Sequence, residues 1–483
     1  MRLHAALFAI GLVVYGALAW DRLGRPSGAP HFVYQADAWL RGQVAVDQPL
    51  PNDDWAVVET VELDDGTQVA GRRLVTRRAF RTTDGTEVAL PRIKRSVRHD
   101  AYVSFPPVPS LVMLPSVLVS GRAANDVIPT LLIAALILPL AFSVLRRLAA
   151  AELSKRTVRE DLWLVAMLAF GSVLLFSAIQ GKVWYTAHVV GVALALGYAW
   201  ASIEARHPVL AGLALGAAAL TRTPMAFMFP LFLFEAWRMA ARGVAGTAPY
   251  SRIKRELQEP GGSASASMNL RAGRAAMRQA LVRPLLRFAI PIAAFAVAGM
   301  IYNHVRFGSP TEFGHSYLAL GDFRPVRQQV QIEQYGLASY QYLERNLAVA
   351  FTLLPDLLPR APWVQVSGHG LALWVTTPIL LFLLWPRERP ALHRPLWITV
   401  ALVALPTLFY MNSGWVQFGY RFSLDYMVFL LMLIAIGGRP LSRVGKGLIV
   451  VGIAVNLFGA VTFDRKWQYY RVGGNAYDVV VPH

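Results

Sequence analysis

VIPTLLIAALILPLAFSVL, residues Val127–Leu145, runs nineteen positions without a charge and is followed at once by Arg146 and Arg147. A helix needs roughly 20 mainly apolar residues to cross the hydrocarbon of a bilayer, and a basic residue at its end favours the cytoplasmic side. Working outward, the same pattern recurs at Leu3–Trp20, Leu162–Ile179, Ala187–Ile203, Phe288–Tyr302, Leu371–Trp385, Leu396–Met411, Ser423–Ile436 and Leu448–Phe463. The stretch Val209–Trp237 is too long for one crossing. It is interrupted at Thr221-Arg222-Thr223-Pro224, which reads as a tight turn between two spans. The expectation is an all-α membrane protein of about eleven spans, a single membrane domain over 1–483.

Composition agrees. The chain is 55% hydrophobic and 16% charged, against about a quarter charged in soluble proteins. Its formal charge of +18 is unevenly spread. Residues 238–287 hold ten Lys/Arg and two acids, and the loops Arg146–Asp161, Pro386–Pro395 and Arg439–Lys446 are also basic. By contrast Asp21–Ala101 holds twelve basic and twelve acidic residues, and Asn303–His369 five of each. This asymmetry puts the N-terminus and the basic loops on the cytoplasmic side and the two balanced loops outside. A basic cytoplasmic face meets anionic lipid headgroups, so no nucleic acid is expected as a partner. The chain has no cysteine, which excludes disulfides, thiol chemistry and thiolate metal sites. Met1–Trp20 ends near Ala17-Leu18-Ala19, which resembles a signal-peptidase site. It reads here as an uncleaved first span.

The first outer loop, 21–124, is large. Residues 31–42 space Phe32, Ala36 and Trp39/Leu40 on one side of a helix, which predicts a surface helix with its apolar face on the membrane. Residues 55–90 are rich in Val and Thr and are punctuated by Asp64-Asp65-Gly66 and Asp84-Gly85. They predict a small β-rich insertion. Residues 102–121, broken by Pro109 and Pro115, predict an interfacial helix. The second outer loop, 303–369, predicts short helices. Pro260–Ser265 reads as flexible linker, and Gly212 with Gly216 as a site of close helix packing.

No phosphate loop, metalloprotease helix or nucleophile elbow is present. The candidates are therefore polar residues near the outer surface. Asp37 could abstract a proton from an incoming hydroxyl, or pair with Arg41 four positions on. Asp21, Asp47, Asp53 and Asp54 are its rivals in the same loop. Arg222, Lys182 and Arg421 are outer cations suited to a phosphate. The bland alternative is an Arg421–Asp425 ion pair. The rim aromatics Tyr185, Tyr420 and Trp415, with Trp39, Trp184, Tyr302 and Tyr317, could stack on sugar rings or form the usual interfacial belt. His31 opens the 31–42 stretch and is grouped with the binding candidates.

The order of these features resembles the GT-C superfamily of membrane glycosyltransferases, which includes protein mannosyltransferases, oligosaccharyltransferases and lipid A aminoarabinose transferases. The matching elements are His31–Gly42 with Asp37, Phe105-Pro106-Pro107-Val108-Pro109, Ala211–Gly216 followed by Leu220-Thr221-Arg222, Asn303–Pro310, and Gly414–Asp425, which is similar to a segment of bacterial members. The resemblance implies a polyprenyl-phosphate sugar donor, a glycan, lipid or protein acceptor, and transfer outside the membrane, here the bacterial inner (plasma) membrane. It favours Asp37 as general base of an inverting reaction. Many members carry paired acids just after the first span, where this chain has Asp21-Arg22, and an acid in the next outer loop, where Ile179–Thr186 has none. No cofactor is therefore expected, with a divalent metal as the alternative. Two other classes share the topology: a transporter or lipid-linked-sugar flippase, against which stands the lack of an internal repeat, and a surface-polysaccharide polymerase or ligase.

Overall fold

The computed structural model describes residues 1–52, 54–245, 263–326 and 328–473. Asp53 and most of the expected linker lie outside the described residues; Ser263–Ser265, its last three positions, begin a helix.

The chain opens with α1 (Arg2–Leu18) and α2 (His31–Leu40), followed by β1 (Trp55–Leu63), β2 (Gln68–Arg73), β3 (Ala79–Thr82), β4 (Glu87–Ala89) and β5 (Ile93–Val103). Next come α3 (Val108–Ser120), α4 (Val127–Ala150), α5 (Val158–Phe170), α6 (Leu174–Ala178), α7 (Val183–Ser202), α8 (Pro208–Ala219), α9 (Pro230–Ala245) and α10 (Ser263–Phe307). The last part holds β6 (Leu318–Ala319), α11 (Gln328–Tyr335), α12 (Leu343–Phe351), β7 (Asp356–Leu357), β8 (Val364–Ser367), α13 (His393–Leu408), α14 (Met427–Ile436), α15 (Arg443–Thr462) and β9 (Tyr470–Arg471).

The protein is mostly helical with a small sheet. Among the described residues, four helices are long and apolar enough to cross a bilayer: α4, the Val183–Ala205 stretch containing α7, the Ala275–Phe307 part of α10, and α15. Apolar helices α1, α8 and α14 are shorter. Several of the eleven expected stretches are broken where Gly or Pro interrupts the backbone ladder. Leu162–Ile179 divides at Gly171 into α5 and α6. Leu371–Trp385 is one helical turn, Leu373–Thr376, then a 3-10 stretch from Pro378 to Leu384. Ser423–Ile436 begins inside a 3-10 turn, Arg421–Asp425, before α14. Thr157 and Glu160 form a reciprocal capping box that fixes the start of α5.

Gly212 and Gly216 do what their spacing predicts. A Cβ at Gly212 would lie 2.2 Å from the Phe288 carbonyl oxygen, and one at Gly216 2.6 Å from the Phe295 ring. The missing side chains let α8 press directly on α10.

The insertion is an antiparallel sheet of order β4-β3-β2-β1-β5. Its Asp-Gly turns place Gly66 and Gly85 at φ +81° and +94°, the left-handed backbone that such hairpins need. The sheet runs past the expected boundary at residue 90. The long strand β5 carries Lys94, Arg95 and Arg98 on exposed positions, which hid its alternation. Two residues of β6 pair with the start of β1, Trp55 opposite Ala319. The 303–369 segment is thereby stitched onto the 21–124 segment.

The helix expected at 31–42 forms as α2, but its apolar face is not left to the membrane. Phe32, Val33 and Ala36 are buried in a cluster with Met113 and Val117 of α3 and Trp55, Val57 and Val103 of the sheet. Tertiary burial takes up most of the apolar surface that the sequence assigned to lipid, Leu40 alone of the named residues staying exposed.

Candidate functional site

A cavity of about 290 Å³ lies where the sheet, the 303–369 segment and one end of the helices meet. Its charged and titratable lining is Asp54, Arg222, Glu312, His315, Tyr410 and Arg421. Phe105, Pro106, Phe313, Met411 and Phe422 supply apolar wall.

Arg222 reaches the cavity because α8 ends at Ala219 and Pro224 bars a helical continuation. Its backbone is extended, at φ −145° and ψ 112°. The guanidinium binds Asp425 at two points, Nε to Oδ1 at 3.1 Å and Nη2 to Oδ2 at 2.9 Å. His188 of α7 sits 3.0 Å from the same Oδ1 through its Nδ1. Asp425 is 1% exposed, so its charge is held by Arg222.

Arg421 differs. It is 4% exposed and, among the described residues, has no carboxylate within ion-pair distance. Its Nη1 donates to the Gly414 carbonyl and contacts Val416 O and Gln417 Oε1 at 3.4 Å each, while Nε has no acceptor. The loop before it is tied down by Gln417, which donates to His369 O and Ser413 O and accepts from the Arg421 amide. The guanidinium carbon lies 5.3 Å from the Tyr185 ring centre and 5.4 Å from that of Phe422. Ring faces and carbonyl dipoles soften a buried cation. They do not neutralise it, and isolated buried charge is costly.

Two carboxylates face these cations. Asp54 precedes β1, and the indole N–H of Trp184 donates to its Oδ2. Trp55, next in the chain, is fully buried and donates to Leu50 O and Asn52 Oδ1 at 3.0 Å each, which pins the Asp54 backbone. Glu312 follows α10, and its Oε1 accepts from the Gly314 amide at 2.6 Å. Beside it, burial pushes the His315 imidazole down to about 4; its ring packs against Phe105 and Tyr410. His315 is therefore neutral at pH 7.

Of the residues singled out by sequence, Arg222 and Arg421 meet at this cavity, with Tyr185 against Arg421. Asp54 and Trp184, singled out as a rival acid and a rim aromatic, also line it, while the remaining binding and base candidates sit elsewhere. Asp37 accepts at a single oxygen from Arg41 and Arg122, both at 2.7 Å, and does not line the cavity. Lys182 pairs with Asp464 at 2.7 Å. His31 is buried and stacked on Trp55 at 4.1 Å. Tyr420 is buried with its hydroxyl 3.2 Å from Thr407, and Trp415 packs against His369. The alternative Arg421–Asp425 pair is corrected to Arg222–Asp425, because the 3-10 turn directs Asp425 back toward α7 and α8.

No known sequence family matches this chain, and no curated protein matches it. Two solved structures are similar, both of the oligosaccharyltransferase of Archaeoglobus fulgidus. One is the apo form, at 11% identity and TM-score 0.40. The other is AglB in complex with an inhibitory peptide and a dolichol-phosphate, at 10% identity and TM-score 0.41. Each match covers 98% of this chain and 56% of the other, so the chain spans little more than half the length of those proteins.

Sequence reasoning missed Glu312, His315 and His188. Glu312 and His315 carry no periodic signal, being loop residues placed by the β6–β1 pairing. His188 lies on an apolar helix, where a lone histidine reads as core. Asp54 was visible only as one of five candidate aspartates in its loop.

Proposed function

We propose that this protein is a multi-span membrane glycosyltransferase that moves a sugar from a polyprenyl-phosphate donor to an acceptor in the cavity described above, on the outer side of the membrane. The observation that carries the reading is Arg421, a buried guanidinium with no carboxylate partner among the described residues, on the wall of a cavity that also holds Asp54 and Glu312. A bound phosphate supplies the missing counter-charge, and the planar fork of arginine suits its oxygens. Arg222, already neutralised by Asp425, adds N–H donors on the same wall. The apolar lining accommodates the first isoprene units.

In the reaction a carboxylate takes the proton of the acceptor hydroxyl. The acceptor oxygen bonds to the anomeric carbon as the bond from that carbon to the phosphate oxygen breaks. The electron pair leaves on the polyprenyl phosphate, where Arg421 stabilises it. Attack opposite the leaving phosphate inverts the anomeric centre. Asp54 is the better-placed base, since Asp37 is engaged by two guanidinium groups away from the cavity. The reading uses no cofactor. The charge asymmetry of the loops supports a cytoplasmic N-terminus and an inner-membrane setting.

Incubating the purified protein with a panel of polyprenyl-phosphate sugars tests this directly. Release of lipid phosphate by the wild type, and its loss in Arg421→Gln, supports the reading. Intact donors across the panel, with transport of a lipid-linked sugar in vesicles, would sink it.

A further inference from the structure

The hairpin joining β2 to β3 reads RRLVTRRAFR over Arg72–Arg81, five arginines in ten residues with no acid among them. Three of these, Arg72, Arg77 and Arg81, line a second cavity of about 210 Å³ together with Thr76, Ser316, Ile332, Glu333 and Leu337. Leu337 also lines the first cavity, so the two are neighbours. We infer that this second cavity holds an anionic group of the acceptor, a phosphate or carboxylate carried on a sugar or lipid. The inference rests on the glycosyltransferase reading and names the class of its acceptor.

The acids near the hairpin leave charge over. Glu333 of α11 is occupied: it accepts from the Val75 and Thr76 amides at 3.0 and 2.8 Å, from the Thr76 hydroxyl at 2.7 Å, and from Arg72 at 3.1 Å. Glu87 serves two cations, taking one N–H from Arg81 at 2.6 Å and one from Arg77 at 3.5 Å. Arg78 makes no ion pair among the described residues. Each guanidinium carries five N–H donors. Arg77 and Arg81, with 64% and 44% of their side chains exposed, therefore keep most of theirs open. Arg72 is held in place by Glu333 and by the Tyr317 ring, 5.9 Å from its guanidinium carbon. Arginine forks around a polar hollow, with Arg72 fixed among them, suit an anion of carboxylate or phosphate geometry. The donor phosphate already has Arg421 in the neighbouring cavity. An anion seated here sits next to that cavity, where the rest of its molecule can present a hydroxyl toward Asp54.

The test uses the full chain in detergent, with pyrophosphate and glucuronate as probes added after a short-chain polyprenyl phosphate has filled the Arg421 cavity, and calorimetry as the readout. The wild type should bind at least one probe, with affinity falling steeply as salt is raised. Arg77→Gln/Arg81→Gln should bind that probe about tenfold more weakly or worse, while Arg77→Lys/Arg81→Lys recovers part of the loss. Polyprenyl phosphate should bind the Gln variant as it binds the wild type, which also shows that the variant is folded. Arg421→Gln should do the opposite, losing the lipid phosphate and keeping the probe. Equal probe binding by wild type and Gln variant, no probe binding at all, or loss of the probe in Arg421→Gln would each overturn the inference. Displacement of the probe by phosphatidylglycerol in nanodiscs would overturn it too, by assigning the cavity to a lipid headgroup. Failure of the parent reading shows differently, as intact donor in every lipid-phosphate release assay.

Discussion

Arg222 and Asp425 lock together at two points, 3.1 and 2.9 Å, across 203 residues of sequence. Because Asp425 is spent on Arg222 and its neighbour His188, Arg421 is left as a buried cation without a carboxylate counter-ion among the described residues. Breaking this pair by Asp425→Asn should leave two unbalanced guanidinium groups. A loss of about 3 kcal/mol or more is expected for one buried partner removed, read as a lower thermal midpoint in detergent.

Arg421→Gln should weaken lipid-phosphate binding by at least tenfold. Arg421→Lys should recover only part, since a point charge cannot form the two-oxygen contact. Titration with a short-chain polyprenyl phosphate checks both variants, and unaltered affinity in the Gln variant would remove the phosphate site.

Asp54→Asn and Asp37→Asn separate the two candidate bases. With Asp54 as base, its Asn variant should lose about 10²-fold or more in transfer rate while still binding the donor. Asp37→Asn should keep most of its activity and lose stability instead, since Arg41 and Arg122 lose their shared acceptor. The reverse pattern would restore Asp37 to the reaction.

His315 gives a pH signature. Its folded value, about 4, lies below the ordinary histidine value of 6.5, chiefly through burial. An unfolded chain takes up a proton below pH 6.5 that the folded chain refuses until about 4. The stabilisation is thus fully present above pH 6.5 and lost as pH falls toward 4, on the order of 3 kcal/mol at most. The thermal midpoint of the wild type should drop over that window more than that of His315→Gln.

Gly212→Ala places a methyl group 2.2 Å from a backbone oxygen of α10. The helices must move apart, at a cost of about 1–3 kcal/mol. Gly197→Ala, inside α7 and with nothing within 4 Å of its added Cβ, serves as the control and should hold or slightly raise the midpoint.

The hairpin turns at Asp64-Asp65-Gly66 and Asp84-Gly85, the α2 helix, the break at Thr221–Pro224 and the close approach at Gly212 and Gly216 were all legible in the sequence. Each is a local matter of backbone freedom, residue size or apolar period acting over a few positions. Charge sparsity likewise announced helices long enough for a bilayer, because uncompensated charge there is costly over any single stretch. Even Arg222 and Arg421 were legible, since each is a cation set against the run of its surroundings.

Which acid would meet them was not. Asp21, Asp37, Asp47, Asp53 and Asp54 share one loop and one chemistry, and nothing local ranks them. The pairing of Trp55 with Ala319, the burial of Trp55 and the grip of Trp184 bring Asp54 to the cavity, while Arg41 and Arg122 hold Asp37 away from it. Glu312 and His315 arrive by the same strand pairing. Ion-pair partners are chosen by distance in space, and distances between segments hundreds of residues apart exist only once the chain has packed.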